Sequence, residues 1–264
     1  MYSHEHYKYL KKIKTTQILI RIFQITIIVF SLIIWQLLAD LNVINTFISS
    51  SPKEVIRTLI SLHNTNNLYH HIGITVYETI ISFTLGTILG ILIATVLWWN
   101  KFLAKVMDPY LTILNSLPKV ALGPIIIIWA GAGIKSIILM ALFISVIITI
   151  INVYQGFNET DQNKIKLMNS FKASKQQIYF KLVLPSSFSN IISALKINVS
   201  MSLIGVVMGE FLVSKQGIGY LIMYGSQVFN LNLVITGIII LCIVSAAMYY
   251  FVTYIEKKLI NKNE

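Results

Sequence analysis

The chain has 264 residues, 56% of them hydrophobic and only 12% charged, and its mean hydropathy is +0.74. A soluble domain is nearer roughly 45–50% apolar and about 25% charged, so this is a polytopic α-helical membrane protein. Barrel strands would be about ten residues of alternating polarity, and no such pattern occurs. The formal charge of +11 lies between apolar runs rather than on one soluble face, which excludes nucleic acid as a partner and leaves the lipid bilayer.

Residues 1–16 form a basic tail and residues 17–39 the first membrane helix. The apolar run Ile22–Ala39 is longer than the core of a signal peptide, and no small-x-small cleavage pattern follows it, so the helix is expected to be retained. In the segment 40–70, SSPKEVIRTLISL opens with serines and a proline, then places Val55, Ile56, Leu59, Ile60 and Leu62 on a stripe. That pattern predicts an N-capped amphipathic helix along the outer surface. His63, His70 and His71 follow, but adjacent histidines on a helix diverge by about 100°, which argues against a shared metal ion.

Further spans are expected near 71–97, 104–130, 133–155, 186–213 and 231–256, making the membrane core 71–256. The second span carries G-x-x-x-G at Gly86 and Gly90, a close-packing pattern, and Glu78, which is either interfacial or half of a buried pair. The third contains Pro109, Pro118 and Pro124, so it is expected to break, with Asn115, Ser116 and Lys119 around Pro118. Irregular backbone at membrane depth needs protein or an aqueous cavity around it. Lys119 therefore either faces a pathway or reaches to the interface. In the fifth span Asn190, Ala194, Asn198, Ser202, Gly205 and Gly209 recur at helical spacing, a small and polar stripe suited to a tight helix contact, a pathway or both. Glu210 follows, and Gly217 and Gly219 in SKQGIGY predict a sharp reversal. The lone Cys242 can form no disulfide within the chain.

Between the fourth and fifth spans, residues 156–185 contain no apolar run. Ile165, Leu167, Met168 and Phe171 fit one short helix, and Ile178, Tyr179 and Leu182 fit a second, ended by Pro185. Together they predict an apolar knob ringed by lysines, which a soluble protein with a matching groove could grip.

The basic residues cluster in the N-terminal region (Lys8, Lys11, Lys12, Lys14, Arg21), after the second span (Lys101, Lys105), in the 156–185 loop (Lys164, Lys166, Lys172, Lys175, Lys181) and in the tail 257–264 (Lys257, Lys258, Lys262). With six alternating spans these regions share one side, which the positive-inside pattern makes cytoplasmic, together with both termini.

With LPKVALGPIIIIWAGAG, ASKQQIYFKLVLP, ALKINVSMSLIGVVMGEF and GIGYLI in place, residues 50–256 resemble the permease subunits of bacterial binding-protein-dependent ABC importers. The group is the nitrate, sulfonate and taurine one, which also includes permeases for thiamine and riboflavin precursors. That family's loop signature is E-A-A-x-x-x-G with an I/V-x-L-P ending. Here Leu184-Pro185 match the ending, Lys166, Leu167 and Met168 stand where Glu-Ala-Ala would fall, and Lys172 replaces the glycine. Lys196 and Glu210 match the family's basic and acidic residues in the fifth span, while Ser189 replaces its second proline.

The resemblance implies a plasma-membrane permease in which residues 158–185 couple to a separate ABC ATPase dimer. Ile165, Met168, Phe171, Lys172, Ala173, Ser174, Lys175, Ile178, Tyr179, Leu184 and Pro185 would form that coupling surface. It implies a second permease copy, most simply a homodimer, and an extracytoplasmic substrate-binding protein. Asn115, Lys119, Lys196, Asn198, Ser202, Gly205, Gly209 and Glu210 would line the pathway or the dimer interface. No cofactor or metal is expected on this chain, and ATP-Mg would be held by the ATPase; no G-x-x-x-x-G-K-[ST] occurs here. The chain is thus not expected to be an enzyme. The implied substrate is a small anion such as a sulfonate, taurine or nitrate, with a thiamine or riboflavin precursor as the alternative. An ion-coupled secondary transporter is the alternative of another class, but it would show an internal repeat, and none is visible.

Overall fold

The computed structural model describes residues 4–65 and 67–260. Among the described residues there is no strand, so the chain is all-α as its composition requires. α1 (His4–Asp40) contains no proline or glycine, and the helix runs without a break from the basic tail into the first membrane span. Its membrane window is not buried by the rest of the chain, as befits a helix that is apolar all round. After α2 (Thr46–Ser49), Ser51 caps α3 (Pro52–Asn64) by accepting from the Glu54 N–H, with Pro52 in the first turn. Val55 is buried, and Leu59 and Leu62 pack inward. Ile56 and Ile60 instead point away from the protein, so the apolar stripe of α3 is narrower on its protein side than its spacing suggests.

α4 (Asn67–Trp99) leads into α5 (Lys101–Ser116), whose first turn is capped by the Asn100 side chain. Leu117-Pro118 then bends the chain by 91° into a 3₁₀ turn, Lys119–Leu122, and α6 (Gly123–Ala130). The three prolines have different effects. Pro109 is accommodated inside α5, Pro118 sits at the bend, and Pro124 lies in the first turn of α6, where its missing N–H costs little. α7 (Ile134–Asn158), the α8–α10 loop, α11 (Phe188–Val213), α12 (Ile218–Gln227) and α13 (Leu231–Ile260) complete the chain. In the loop, α8 is Gln162–Ser170, α9 is Lys175–Ile178 and α10 is Leu184–Ser186.

The centre is a three-helix seam of α4, α7 and α11, and glycine makes it possible. A Cβ on Gly86 would collide with Ser145, and one on Gly90 would lie 2.5 Å from Thr149 Cγ2. The two contacts advance together, so α4 and α7 run parallel. On α11, a Cβ on Gly205 would collide with the Ala141 backbone, and one on Gly209 would lie 2.9 Å from Ile137 Cα. These advance in opposite directions, so α11 is antiparallel to both.

That geometry settles the bent segment. Because α4 and α7 run parallel, residues 101–130 must return from the end of one to the start of the other. The α5–α6 pair is therefore one broken crossing, and the chain crosses six times. The described ends fall on the side that carries the α8–α10 loop. The end of α1 meets α3 on the opposite side, where Gln36 accepts from the Lys53 N–H. Glu256 near the end of α13 pairs with Lys196 in the first half of α11.

Candidate functional site: the loop between α7 and α11

Local chemistry fixes each turn of the loop. Asp161 caps α8 through the Asn163 N–H at 2.8 Å. α8 closes with the Ala173 N–H donating to the Met168 carbonyl and the Lys172 N–H to that of Asn169, which throws Lys172 into the left-handed region at φ +58°. The family's glycine position thus keeps its glycine-like backbone with lysine in it. Ser174 and Gln177 form a reciprocal capping box at the start of α9; S-x-x-Q was its signal in the sequence.

The segment does not end at Pro185 as its sequence suggested. It continues helically through Leu184–Ser186, because one π turn over Tyr179–Val183 widens the helix just before the proline. The Leu184 N–H reaches back to the Tyr179 carbonyl, and the ring of Pro185, which has no N–H to offer, is accommodated.

The loop divides into an anchor and a tip. Ile178, Tyr179 and Val183 are buried against Phe157, Val153 and Ala94. The Tyr179 ring touches those of Trp98, Trp99, Phe157 and Phe180. Its hydroxyl lies 2.7 Å from Thr95 Oγ1, whose own proton goes to the Ile91 carbonyl. Ile178 and Tyr179 therefore belong to the anchor, and the exposed knob expected to include them reduces to Leu167, 57% exposed, and Phe171, 75% exposed, at the end of α8, with the exposed Phe180 beside the anchor. Ile165 and Met168 are partly buried against the anchor. Lys164, Lys166, Lys172, Lys175 and Lys181 are all exposed around it. The loop's two ends are tied together by the Ser187 hydroxyl donating to the Gly156 carbonyl at 2.8 Å and by Asn190 donating to Glu159 at 2.6 Å. The loop is thus fastened at its base to both α7 and α11.

On the opposite side, three successive amides of the glycine turn are each accepted by a buried side chain. The Gly217 N–H donates to His71 Nδ1 at 2.9 Å, the Ile218 N–H to Thr75 at 2.8 Å and the Gly219 N–H to Glu210 at 2.5 Å. Thr75 donates in turn to Glu210 at 2.6 Å. Gly217 supplies the left-handed turn at φ +101°, whereas Gly219 is needed because Glu210 packs directly on it. This clamp joins α4, α11 and α12. Its sequence signal was the polar triplet His71, Thr75 and Glu78 at helical spacing in an apolar span.

A match to the family of binding-protein-dependent transport system inner membrane components covers residues 86–261, the stretch holding the seam, the loop and most of the clamp. The chain belongs to that family. It is an ABC importer permease, a multi-pass inner-membrane protein. A protein of Bacillus subtilis (strain 168) named for aliphatic sulfonates transport is 28% identical over 86% of this chain and 82% of its own length. A formylaminopyrimidine transport permease protein of Halalkalibacterium halodurans is 26% identical over 72% of this chain and 75% of its own. In structure, the chain is similar to a chain of the inward-facing MetNI methionine ABC transporter. The TM-score is 0.61 at 19% identity, covering 71% of this chain and 92% of that one. At that identity the likeness is one of fold.

Within the permease, the expected pathway and interface residues separate. Asn198, Ser202, Gly205, Gly209 and Glu210 are buried inside the chain's own bundle. Asn198 donates to Thr87 at 2.7 Å, the glycines pack on α7, and Glu210 belongs to the clamp. Within the chain these residues serve the seam and the clamp, Gly205 and Gly209 by backbone approach to α7 and Asn198 and Glu210 by hydrogen bonds. Lys196 is held by Glu256 at 2.6 Å, so its charge is matched within the chain. Asn115 and Lys119 remain at the surface by the α5–α6 bend, the lysine donating to the Asn115 carbonyl at 2.8 Å.

Proposed function

We propose that the permease takes up its driving force through residues 158–185, gripped by the groove of a separate ABC ATPase on the cytoplasmic side. The single observation that carries this is an exposed apolar tip, Leu167 and Phe171, on a rigidly anchored loop at the end of the seam. Exposed apolar side chains of this kind are a liability unless a partner covers them. The basic clusters, on the loop's side of the bundle, support its cytoplasmic placement and that of both termini. The ATPase would hold ATP-Mg and hydrolyse it, and this chain would bind no cofactor.

The pathway is assigned to the α5–α6 bend. Its broken backbone and the polar Asn115 and Ser116 are open on the isolated chain, with Lys119 half-buried beside them, and Ile128 and Trp129 of α6 are exposed. Such backbone at membrane depth is tolerated only against protein or an aqueous cavity. A second permease copy covering this face supplies both, with an extracytoplasmic binding protein delivering substrate. A small anion such as a sulfonate is the reading favoured by Lys119, since Lys196 is already neutralised. The pyrimidine-transport relative supports a thiamine precursor as the alternative.

Co-purification with the ATPase tests the coupling. The Leu167→Asp/Phe171→Asp pair, at exposed positions, is expected to leave the permease folded but release the ATPase. An intact complex would contradict the reading.

A further inference from the structure

Beside the loop, on the membrane side of the tip, lies a cavity of about 500 Å³ where α4 and α7 end and α5 begins. Its walls carry Lys101, Lys105 and Lys175 together with Trp98, Tyr154 and Asn158, and no acidic side chain. The lysine of α9 is fixed there. Its Nζ donates to the Trp99 carbonyl at 2.5 Å and lies 5.8 Å from the centre of the Trp98 ring. None of these lysines has a carboxylate partner among the described residues. Of the nearby acids, Glu159 accepts from Gln155 and Asn190 and Asp161 from its helix cap, while Asp108, one turn along α5 from Lys105, forms no ion pair with it.

We infer that this cavity is a binding site for the headgroup of an anionic phospholipid. Three unmatched cations converge on it, and the cavity lies level with the ends of two membrane spans. Tryptophan and tyrosine at its wall are the residues that settle at the headgroup layer, and basic pockets between spans at a membrane face suit phosphate headgroups. Leu167 and Phe171, the tip assigned to the ATPase, do not line it. Ile165, Lys175 and Ile178 of the coupling segment do line it, so headgroup preference and ATPase retention are read separately.

The test uses the full-length permease in nonionic micelles, with Trp98 kept as the single tryptophan and the others replaced by phenylalanine. Brominated phosphatidylglycerol is expected to quench Trp98 at a lower mole fraction than brominated phosphatidylcholine. Lys101→Gln/Lys105→Gln should raise the half-quenching mole fraction of the anionic lipid by at least about fivefold, the effect of one lysine at an anionic surface. The charge-matched control Lys257→Gln/Lys258→Gln should not. Equal quenching by the two lipids overturns the inference, as does a preference that survives in the Lys101/Lys105 variant. Displacement of the lipid by millimolar glycerol phosphate would show a site for a free phosphate group instead and would also overturn it. So would a lysine pair that governs ATPase retention with no headgroup preference.

Discussion

Lys172 occupies a left-handed backbone position at φ +58° that a glycine would hold without strain. A residue with a Cβ is disfavoured there by about 1–2 kcal/mol, so Lys172→Gly is expected to stabilise the loop by roughly 1 kcal/mol, read as a rise in thermal midpoint. The two buried glutamates should respond in opposite ways to loss of charge. Glu210 accepts from Thr75 and Gly219, so Glu210→Gln places an amide donor among donors and should cost about 1–3 kcal/mol. Glu78, one turn along α4 from Thr75, is fully buried and neither of its oxygens has a hydrogen-bond partner. Glu78→Gln should therefore be neutral or stabilising. Thermal unfolding of the two variants in the same detergent checks the pair, and equal losses would contradict the clamp.

At the scale of elements, the seam depends on backbone approach at a few glycines. A Cβ on Gly205 meets the Ala141 backbone, which cannot rotate away, while one on Gly73 meets nothing within 4 Å. Gly205→Ala is expected to destabilise by about 1–3 kcal/mol through overpacking, whereas Gly73→Ala should be neutral or better through helix propensity. The helical spacing of Asn198, Ser202, Gly205 and Gly209, in steps of three and four, made a tight contact legible in the sequence. It could not say which helix would fill the groove, because lipid-buried partners are equally apolar. The outer clamp was only half legible, its side-chain acceptors but not its donors showing in the sequence. Its acceptors lie on α4 and α11 and its donors are backbone amides, and backbone amides leave no residue-level pattern. In the loop, lysine spacing and the S-x-x-Q cap were readable. The division of Tyr179 from Phe171, anchor from tip, was not, since both are aromatic residues on short amphipathic turns.

For the whole molecule, the parallel course of α4 and α7 makes the bent α5–α6 segment a crossing, and so puts the loop and both described ends on one side. The six-crossing order was legible because apolar runs and lysine clusters alternate. The break at Leu117-Pro118 was announced by its prolines, but its 91° angle depends on packing that no local pattern records. The mechanical account needs the tip to face the cytoplasm and to be covered by a motor. Cys242 is the chain's one cysteine, so a Cys242→Ser background frees the chain for a single label at Phe171→Cys. A membrane-impermeant maleimide should not label that cysteine in intact cells. It should label it in inside-out vesicles, with reactivity falling severalfold when the ATPase is bound. Labelling from outside intact cells, or reactivity in vesicles unaffected by the ATPase, would contradict the account.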